Sequence, residues 1–490
     1  MKKPMKKYAT ILLVIIFLLL VLIGVSQVDD LQAKHSNITH EELWIVTEKT
    51  VSDGMNYQAK LAVDMLQETY PNTKIVLDIL PVDTEQRAEY LANLRDQIEA
   101  GTGPDIFLLP TNEVLTLDEP QSYTYIQIDP LFSNVAIEMR RGTFADVNSM
   151  FSRDNSIDKQ LLNTSIMEAG IVDKCQYVIP LRYDAPVIYV FEDMFGEYGI
   201  DNNIFSCGFD EWMQVVSQTQ DPVLACGAEY TSIHVFSELI DYDSPEVILS
   251  SAKLCDYLLA FQTVQGLIGR EVSHRTPANH IGYLSGTWEP FPVQIAELSH
   301  AIYYAAIAKS ENRSLAMYPL RTVEGDPIAY VTYYAAIASY CKNPDLAYAY
   351  ISILLSEEFQ WGKERPLPAT EQYPGLVESS WPVLSYGSVA PLWDNLKTQM
   401  DIRYRTTDSE LSEKLESRKQ DILNTSLEDT DIPIIYEKYT SVVFPFMLSK
   451  RFDAILSELN DFSNNNIPSD VNIKELAEEV IEYLRVELQA

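Results

Sequence analysis

The sequence predicts an α/β protein, and alternating strand-like and helix-like segments near its N-terminus are the main reason. Leu43–Thr47, Lys74–Leu80 and Ile106–Leu109 are short apolar runs of the kind that form buried strands. Helix-like segments lie between them, and strands joined in this way form a parallel sheet covered on both faces. Ligands of open α/β sheets bind beyond the carboxyl ends of the strands. The residues that follow these three strands are therefore the first candidates for a binding site.

The first helix is predicted between the first two strands. Ser52 or Asp53 can cap its N-terminus, and Pro71-Asn72 ends it. Its apolar positions recur at helical spacing and comprise Tyr57, Leu61, Ala62, Met65 and Leu66.

The second helix is predicted to begin with Thr84 as its cap and to end at Gly101. Its apolar face comprises Tyr90, Leu91, Leu94 and Ile98. A glycine directly after a helix readily adopts the left-handed conformation that ends it. In the segment GTGPDIFLLP, Gly101 is expected to end the helix and Asp105 to have a structural role in the turn before the third strand.

A helix followed by G-x-G-P-D-x-F and a strand resembles the first lobe of the extracellular solute-binding proteins of ABC importers, in the group that contains the maltose-binding protein. Four further segments are similar to motifs of that family and follow in the family's order. They are Tyr177–Asp201, Phe209–Val216, Tyr283–Pro292 and Pro319–Gln360. The C-terminal segment VNIKELAEEVIEYLRVEL resembles the family's closing helix.

The resemblance implies a two-lobed periplasmic-binding-protein-like fold. Each lobe would be a mainly parallel sheet flanked by helices, with a hinge between the lobes. Residues 41–182 and 326–365 would form lobe 1, and residues 183–325 and 366–490 would form lobe 2. The chain would first cross between the lobes at Tyr183–Ala185. A length of 490 residues agrees with two lobes, because it exceeds what one hydrophobic core usually organises.

The N-terminus predicts a signal anchor in residues 1–28, followed by a polar linker in residues 29–40. Four lysines precede Tyr8–Val28, a run of 21 residues without charge that is long enough to span a bilayer. Positive charge before the run places the rest of the chain on the extracellular face of the cell membrane. The alternative is a signal peptide cleaved after Ser26, which would give a secreted protein. Since no cysteine precedes Cys175, attachment through a lipid on cysteine is not expected.

The composition excludes several partners. The formal charge of −35 argues against nucleic acid and anionic lipid, both of which need a basic patch. The five cysteines show no metal-binding spacing, so no metal or cofactor is expected. They are interpreted as free thiols, with a Cys207–Cys226 disulfide as the alternative.

No motif for catalysis was found, so the chain is not expected to be an enzyme. Gly282–Gly286 has the wrong spacing for the G-x-S-x-G nucleophile turn. Gly101-Thr-Gly103 lacks the later residues of a nucleotide loop. Two carboxylates that hydrolyse a glycoside are brought together in space, and no sequence spacing identifies or excludes them.

Binding residues are therefore the more informative candidates. A sugar offers an apolar face to aromatic rings and a rim of hydroxyls to carboxylates. Trp288 follows small residues in SGTW and resembles the tryptophan on which the family often stacks a sugar; the alternative is a packed aromatic. Glu289 is a candidate hydroxyl acceptor. Tyr183 and Asp184 lie at the lobe crossover, and Glu48 follows the first strand.

The sequence thus predicts an extracellular receptor that binds a small molecule, with an oligosaccharide favoured. It would act as a monomer and deliver its ligand to the permease subunits of an ABC transporter by closure of the cleft. One alternative is a membrane-anchored ligand sensor of the same fold that reports to a signalling partner. The other is a surface enzyme that acts on glycans.

Overall fold

In the computed structural model, the residues that can be described are 42–48, 54–81, 83–111, 115–116, 125–126, 130–132, 134–199, 209–219, 221, 240–241, 246–247, 250–256, 259, 293–297, 301–320, 327–356, 359–360, 381–382, 420, 424, 441–443 and 472–489.

The strands belong to one large sheet, one three-stranded sheet and several two-stranded ladders. In chain order they are β1 Glu42–Thr47, β2 Lys74–Ile79, β3 Ile106–Pro110, β4 Leu115–Thr116, β5 Tyr125–Ile126, β6 Ile171–Val172, β7 Cys175–Gln176, β8 Val178–Asp184, β9 Pro186–Phe191, β10 Ile240–Asp241, β11 Glu246–Val247, β12 Val293–Glu297, β13 Leu315–Pro319, β14 Ile328–Ile337, β15 Trp381–Pro382 and β16 Ser441–Val443.

The α-helices range from one turn to nearly five turns. In chain order they are α1 Gly54–Thr69, α2 Thr84–Glu99, α3 Val135–Arg141, α4 Asn148–Arg153, α5 Thr164–Glu168, α6 Glu192–Phe195, α7 Phe209–Thr219, α8 Ala301–Glu311, α9 Pro344–Leu355 and α10 Ile473–Gln489.

The predicted N-terminal unit of three strands and two helices is confirmed. β1 pairs in parallel with both β2 and β3, and α1 and α2 connect the strands in turn. Ala62 and Leu66 on α1, and Leu91 and Leu94 on α2, are buried in the main core. The apolar spacing of the sequence therefore identified the correct faces of both helices.

The residues next to the two ends of α2 determine where this helix begins and ends. At its C-terminus Gly101 has φ +69°, its N–H donates to the Ile98 carbonyl at 3.0 Å, and the Thr102 N–H donates to Gln97 at 2.9 Å. This pair of bonds is the Schellman ending expected of a glycine. At the N-terminus the prediction of Thr84 as the cap is wrong by one residue. Asp83 is the cap, and its carboxylate accepts the Gln86 N–H at 3.0 Å.

The large sheet is mixed rather than mainly parallel, which corrects the prediction for this part of the chain. Its strand order is β15-β8-β14-β3-β1-β2, and β16 also pairs with β14. β14 lies between β8 and β3 and is antiparallel to both. The long returning strand enters the sheet from a position more than 200 residues after β3. Local sequence patterns carry no information about a pairing at that separation.

The three-stranded sheet also differs from the prediction of a parallel sheet. β12 and β13 flank β9, and both are antiparallel to it. They are therefore parallel to each other, and α8 connects them. The ring of Tyr304 on α8 stacks on that of Tyr189 in β9 with centroids 4.2 Å apart. The helix thus covers the sheet as expected, but the inserted strand β9 makes every pairing antiparallel.

A single residue separates the two sheets along the chain. β8 ends at Asp184 in the large sheet, and β9 begins at Pro186 in the three-stranded sheet. All the residues of both strands are buried.

The predicted return segment is also present, as β14 followed by α9. Asn343 caps α9 by accepting the Leu346 N–H at 3.2 Å, with Pro344 as the first helical residue.

The predicted signal anchor at Tyr8–Val28 and the second lobe crossing at residues 366–375 lie outside the described residues. Among the residues that the structure does describe, no helix combines the length and apolar character needed to cross a bilayer. Cys175, Cys255 and Cys341 carry thiols that are not joined in disulfides. Cys207 and Cys226, the pair considered for a disulfide, lie outside the described residues.

Candidate ligand-binding site at the sheet crossover

Four strands of the large sheet, β1, β2, β3 and β8, end at the same edge. β8 and β3 are both antiparallel to β14, so they are parallel to each other, and β3 is parallel to β1. The residues at or just beyond these carboxyl ends are Glu48 after β1, Thr111 after β3, and Arg182–Asp184 on β8. This edge is where α/β sheets bind ligands, and it is also where the chain passes to the second sheet.

Tyr183 and Asp184, two of the predicted binding residues, lie at this edge and are fully buried. Asp184 Oδ1 accepts the N–H of Ala185 at 2.8 Å, which fixes the backbone at the point of crossover. Tyr183 belongs to the main hydrophobic core. Because side chains alternate along a strand, Asp184 faces away from Tyr183 and shares a face with Arg182.

Arg182 is a residue that the sequence analysis missed. It is only 5% exposed, yet within the described part of the chain its guanidinium makes no hydrogen bond and no ion pair. Burial lowers the pKa of Arg182 to about 10, and the neighbouring Tyr333 opposes that fall. The guanidinium is thus still cationic at neutral pH. The signal in the sequence was a charged residue inside the otherwise apolar run VIPLRYDAPVIYVF.

The pairing of β8 with β14 is irregular beside Arg182. Val331 pairs with Tyr183 and Tyr333 with Arg182, which leaves Thr332 as an extra residue on β14. β-Bulges of this kind are frequent next to functional sites, because they redirect side chains. The hydroxyl of Thr332 is buried and has no hydrogen-bond partner among the described residues.

Thr111 connects the end of β3 to this bulge. Its N–H donates to the Thr332 carbonyl at 2.9 Å, and its hydroxyl donates to the Val331 carbonyl. The strand register also aligns Pro110, Tyr333 and Arg182 across three adjacent strands. Hydrogen bonds from Thr111, which follows β3, therefore stabilise the bulge on one side of β14. Arg182 lies on the other side of β14, on β8.

Glu48, another predicted binding residue, forms a buried ion pair instead. Arg87 on α2 donates to Glu48 Oε1 at 2.5 Å and to Oε2 at 2.9 Å, and it also donates to the Pro81 carbonyl at 3.1 Å. Glu48 and Arg87 are 2% and 1% exposed. Burial raises the pKa of the Glu48 carboxyl, while the hydrogen bonds and charge of Arg87 oppose that rise. Both oxygens of Glu48 thus accept hydrogen bonds from Arg87, which gives Glu48 a structural role, and its ligand-binding role stays a prediction.

The remaining candidates are only partly described. Trp288 and Glu289 lie outside the described residues, so their ligand-binding roles stay predictions. Trp381 pairs with Tyr183 through the backbone of β15, which brings a third strand segment to the crossover. Asp105 has the structural role expected of it, since its carboxylate accepts the Trp44 N–H of β1 at 2.9 Å.

The described residues contain no group of three or more His, Cys, Asp or Glu side chains that could hold a metal ion. All six histidines of the chain lie outside the described residues. The polar groups at the described edge are the guanidinium of Arg182, the carboxylate of Asp184, the ion pair of Glu48 with Arg87, and the hydroxyl groups of threonine and tyrosine.

Comparison with protein-family models gives no match, and comparison with curated proteins gives none either. The solved structures do contain similar folds. An extracellular solute-binding protein of family 1 from Alicyclobacillus acidocaldarius matches with a TM-score of 0.50 and 13% identity, over 93% of this chain and 100% of that one. A de novo designed cysteine esterase matches with a TM-score of 0.50 and 15% identity, over 92% of this chain and 100% of that one.

At these identities the likeness shows the fold alone. The chain has a mixed α/β fold that matches solute-binding proteins over nearly its whole length. The same fold also matches an esterase made by design, so the fold by itself does not decide between binding and catalysis.

Proposed function

We propose that this protein is an extracellular receptor for a small carbohydrate, which it delivers to an ABC importer when its two lobes close. The observation that carries the proposal is the arrangement at Ala185. A chain with the fold of solute-binding proteins passes there from one sheet to the other, and Arg182, Tyr183 and Asp184 lie at the point of passage.

A ligand held at this position touches both sheets, and each contact favours the arrangement in which the lobes are close together. Ligand binding therefore shifts the population towards the closed form, and the permease recognises that form. In this proposal the lobes are residues 41–182 with 326–365, and residues 183–325 with 366–490. Trp288 supplies the aromatic face, while Asp184 and Glu289 accept sugar hydroxyls.

The receptor is proposed to act as a monomer on the extracellular face of the membrane, held there by an N-terminal helix at Tyr8–Val28. No reaction step is included, because the described edge offers groups for binding and no paired nucleophile and base. A sensor for a signalling partner would use the same binding step and differ only in what recognises the closed form.

The test is a thermal-shift screen of the full-length chain against mono- and oligosaccharides, peptides, polyamines and phosphate esters. A ligand at 100 times its Kd adds about 2.7 kcal/mol to the free energy of unfolding, which a screen detects easily. For each sugar that binds, small-angle scattering should show a smaller radius of gyration, and mass spectrometry should recover the sugar unchanged. Conversion of the sugar to a product would instead identify an enzyme.

A further inference from the structure

The guanidinium of Arg182 is nearly buried and has no carboxylate partner among the described residues. An arginine carries five N–H donors and a permanent charge, and it is rarely buried unless it is paired. Arg182 is 5% exposed and has neither a hydrogen bond nor a carboxylate partner in the described part of the chain. Burial of an unpaired charge destabilises the folded state. An anionic group that arrives with a ligand would remove this destabilisation.

A second arginine is buried at this edge of the large sheet, and its guanidinium is paired with a carboxylate. Arg87 is 1% exposed and binds both oxygens of Glu48 in a bidentate pair. Arg95, on the same helix as Arg87, donates to two backbone carbonyls. Arg87 and Arg95 thus have acceptors, and no such acceptor is found for Arg182 among the described residues.

The position of Arg182 also fits a ligand contact. It lies at the carboxyl end of β8, two residues before the chain crosses between the sheets. The bulge at Thr332 lies beside it, and Thr332 carries a buried hydroxyl without a described partner. Three polar groups, those of Arg182, Asp184 and Thr332, are thus brought to one edge. A guanidinium with a carboxylate and a hydroxyl can recognise a ligand that has both an acidic group and hydroxyl groups.

We infer that Arg182 binds the carboxylate of an acidic sugar, such as a hexuronic acid residue of an oligosaccharide. This inference rests on the proposed function and names the class of its ligand. The planar fork of arginine matches a carboxylate with two parallel hydrogen bonds, and such charge-assisted pairs are the strongest hydrogen bonds in proteins. Asp184 would accept hydroxyls on the same sugar.

The large negative charge of the chain does not oppose such a ligand at physiological ionic strength. The formal charge is −35, but exposed charges more than about 8 Å away are largely screened in 0.15 M salt. A buried guanidinium is screened much less, so its attraction dominates once the ligand has entered. Repulsion at low salt should slow the entry of an acidic sugar without affecting a neutral one.

The experiment uses calorimetry on the full-length chain with two matched series of probes: galacturonate and glucuronate oligomers of two to four units, and the corresponding galactose and glucose oligomers. At least one acidic series should bind about 10- to 100-fold more tightly than its neutral counterpart, from the strength of hydrogen bonds to charged groups. Arg182→Met should remove this preference, and Arg182→Lys should retain only part of it, because lysine lacks the planar fork.

The melting temperature without ligand separates binding from structure. If Arg182 is held unpaired for a ligand, Arg182→Met removes a buried charge and should raise the melting temperature or leave it unchanged. A lower melting temperature together with an unchanged preference for acidic sugars would show that Arg182 is structural and would overturn the inference.

The probe series also separates this inference from the proposed function. Equal affinity for acidic and neutral sugars would overturn the inference and leave the carbohydrate receptor in place. Binding of peptides or polyamines, with no sugar of either series bound, would overturn both. Citrate or inorganic phosphate that binds as tightly as the acidic sugars would show an anion site without sugar recognition, which also overturns the inference.

Discussion

Arg87 on the second helix donates to both carboxylate oxygens of Glu48, at 2.5 and 2.9 Å, although the two side chains are 1% and 2% exposed. Glu48 lies directly after the first strand, at the edge where a ligand was expected. The ion pair shows that a carboxylate at the end of a strand can serve the fold instead of a ligand. The sequence position of Glu48 alone did not reveal this role, because its partner lies 39 residues later.

Loss of one member of this pair should be strongly destabilising. Glu48→Gln keeps the size of the side chain but leaves the Arg87 charge buried without its partner. Removing one partner of a buried pair typically costs about 3–5 kcal/mol. Chemical denaturation at neutral pH should therefore show a large loss for Glu48→Gln and for Arg87→Met, and the double variant should lose less than the sum of the two.

The pair of Lys74 with Glu42 provides the control. Its N–O distance is 2.7 Å, but its side chains are 70% and 58% exposed, so solvent screens the attraction. Glu42→Gln should barely change the stability. If Glu48→Gln were equally mild, the buried pair would have no special role in the fold.

Asp154 should make the stability of the protein depend on pH in the acidic range. Its carboxylate accepts hydrogen bonds from Ser156, from Ser352 at 2.6 Å and from Tyr348 at 3.2 Å. Burial raises the pKa of Asp154, but these hydrogen bonds outweigh burial, so the pKa is lowered from its ordinary value of 3.8. The contribution to stability is therefore complete above pH 3.8 and is lost as the pH falls through the lowered pKa of the folded state.

Denaturation of the protein and of Asp154→Asn at pH 7, 5, 4 and 3 should test this. The difference in stability between the two should be constant from pH 7 to 5 and should shrink towards pH 3. Ser352→Ala should raise the pKa of Asp154 and move this loss to a higher pH. A difference that stays constant down to pH 3 would show that the carboxylate is not the group responsible.

Two glycines should respond oppositely to the same substitution. A Cβ on Gly170 would lie 1.9 Å from the Val178 carbonyl oxygen and 2.6 Å from Gln176 Nε2, so the backbone of the adjacent strand must move. A Cβ on Gly196 would meet no atom within 4 Å, and its backbone is right-handed helical with φ −57°. Gly170→Ala should destabilise by at least about 1–3 kcal/mol. Gly196→Ala should stabilise by up to about 1 kcal/mol. Thermal denaturation of both variants would measure the contrast, and equal effects would contradict it.

The features that sequence predicted correctly were those set by neighbouring residues. Gly101 ends its helix because a left-handed residue is needed there and glycine adopts it without strain. Asn343-Pro344 begins a helix because the side chain of one caps it and the ring of the other fits its first turn. Thr84 failed as a cap because Asp83, one residue earlier, has an equally suitable side chain and holds the Gln86 N–H.

The features that sequence missed depend on residues far apart in the chain. The antiparallel position of β14 joins residues 333–337 to residues 106–110, and no local pattern specifies that pairing. The same limit explains Arg182, since its lack of a partner becomes visible only when its surroundings are known. Tyr183 and Asp184 were predicted at the crossover because of a resemblance; the structure places them where two sheets meet, and their binding role stays a prediction.

Trp288 is expected to be the main stacking residue for the sugar. Burial of one ring face against a sugar is worth roughly 1–3 kcal/mol, by analogy with other large apolar side chains. Trp288→Ala should therefore weaken binding about 5- to 150-fold, on a scale of about 1.4 kcal/mol for each factor of ten. Its melting temperature without ligand should change little.

The matched control for Trp288 is Trp44→Phe. Trp44 donates its indole N–H to Asp78 at 3.2 Å on the large sheet and packs against the core. Its substitution should lower the melting temperature and leave the affinity for the sugar unchanged. If Trp288→Ala behaved like this control, Trp288 would be a packing residue.

Asp184 should contribute to both the fold and the affinity, and two substitutions separate these contributions. Asp184→Asn keeps a side-chain oxygen that can accept the Ala185 N–H, now at 2.8 Å, but loses the negative charge. Hydrogen bonds to charged groups contribute about 1.5–3 kcal/mol, so the affinity for the sugar should fall about 10- to 150-fold. The melting temperature without ligand should change little.

Asp184→Ala removes the acceptor as well and should lower both the affinity and the melting temperature, because the Ala185 N–H is buried at the crossover and loses its partner. Calorimetry with the sugar and thermal denaturation without it measure the two effects. If Asp184→Asn kept full affinity while Asp184→Ala lost only stability, the carboxylate would serve only the turn between the sheets.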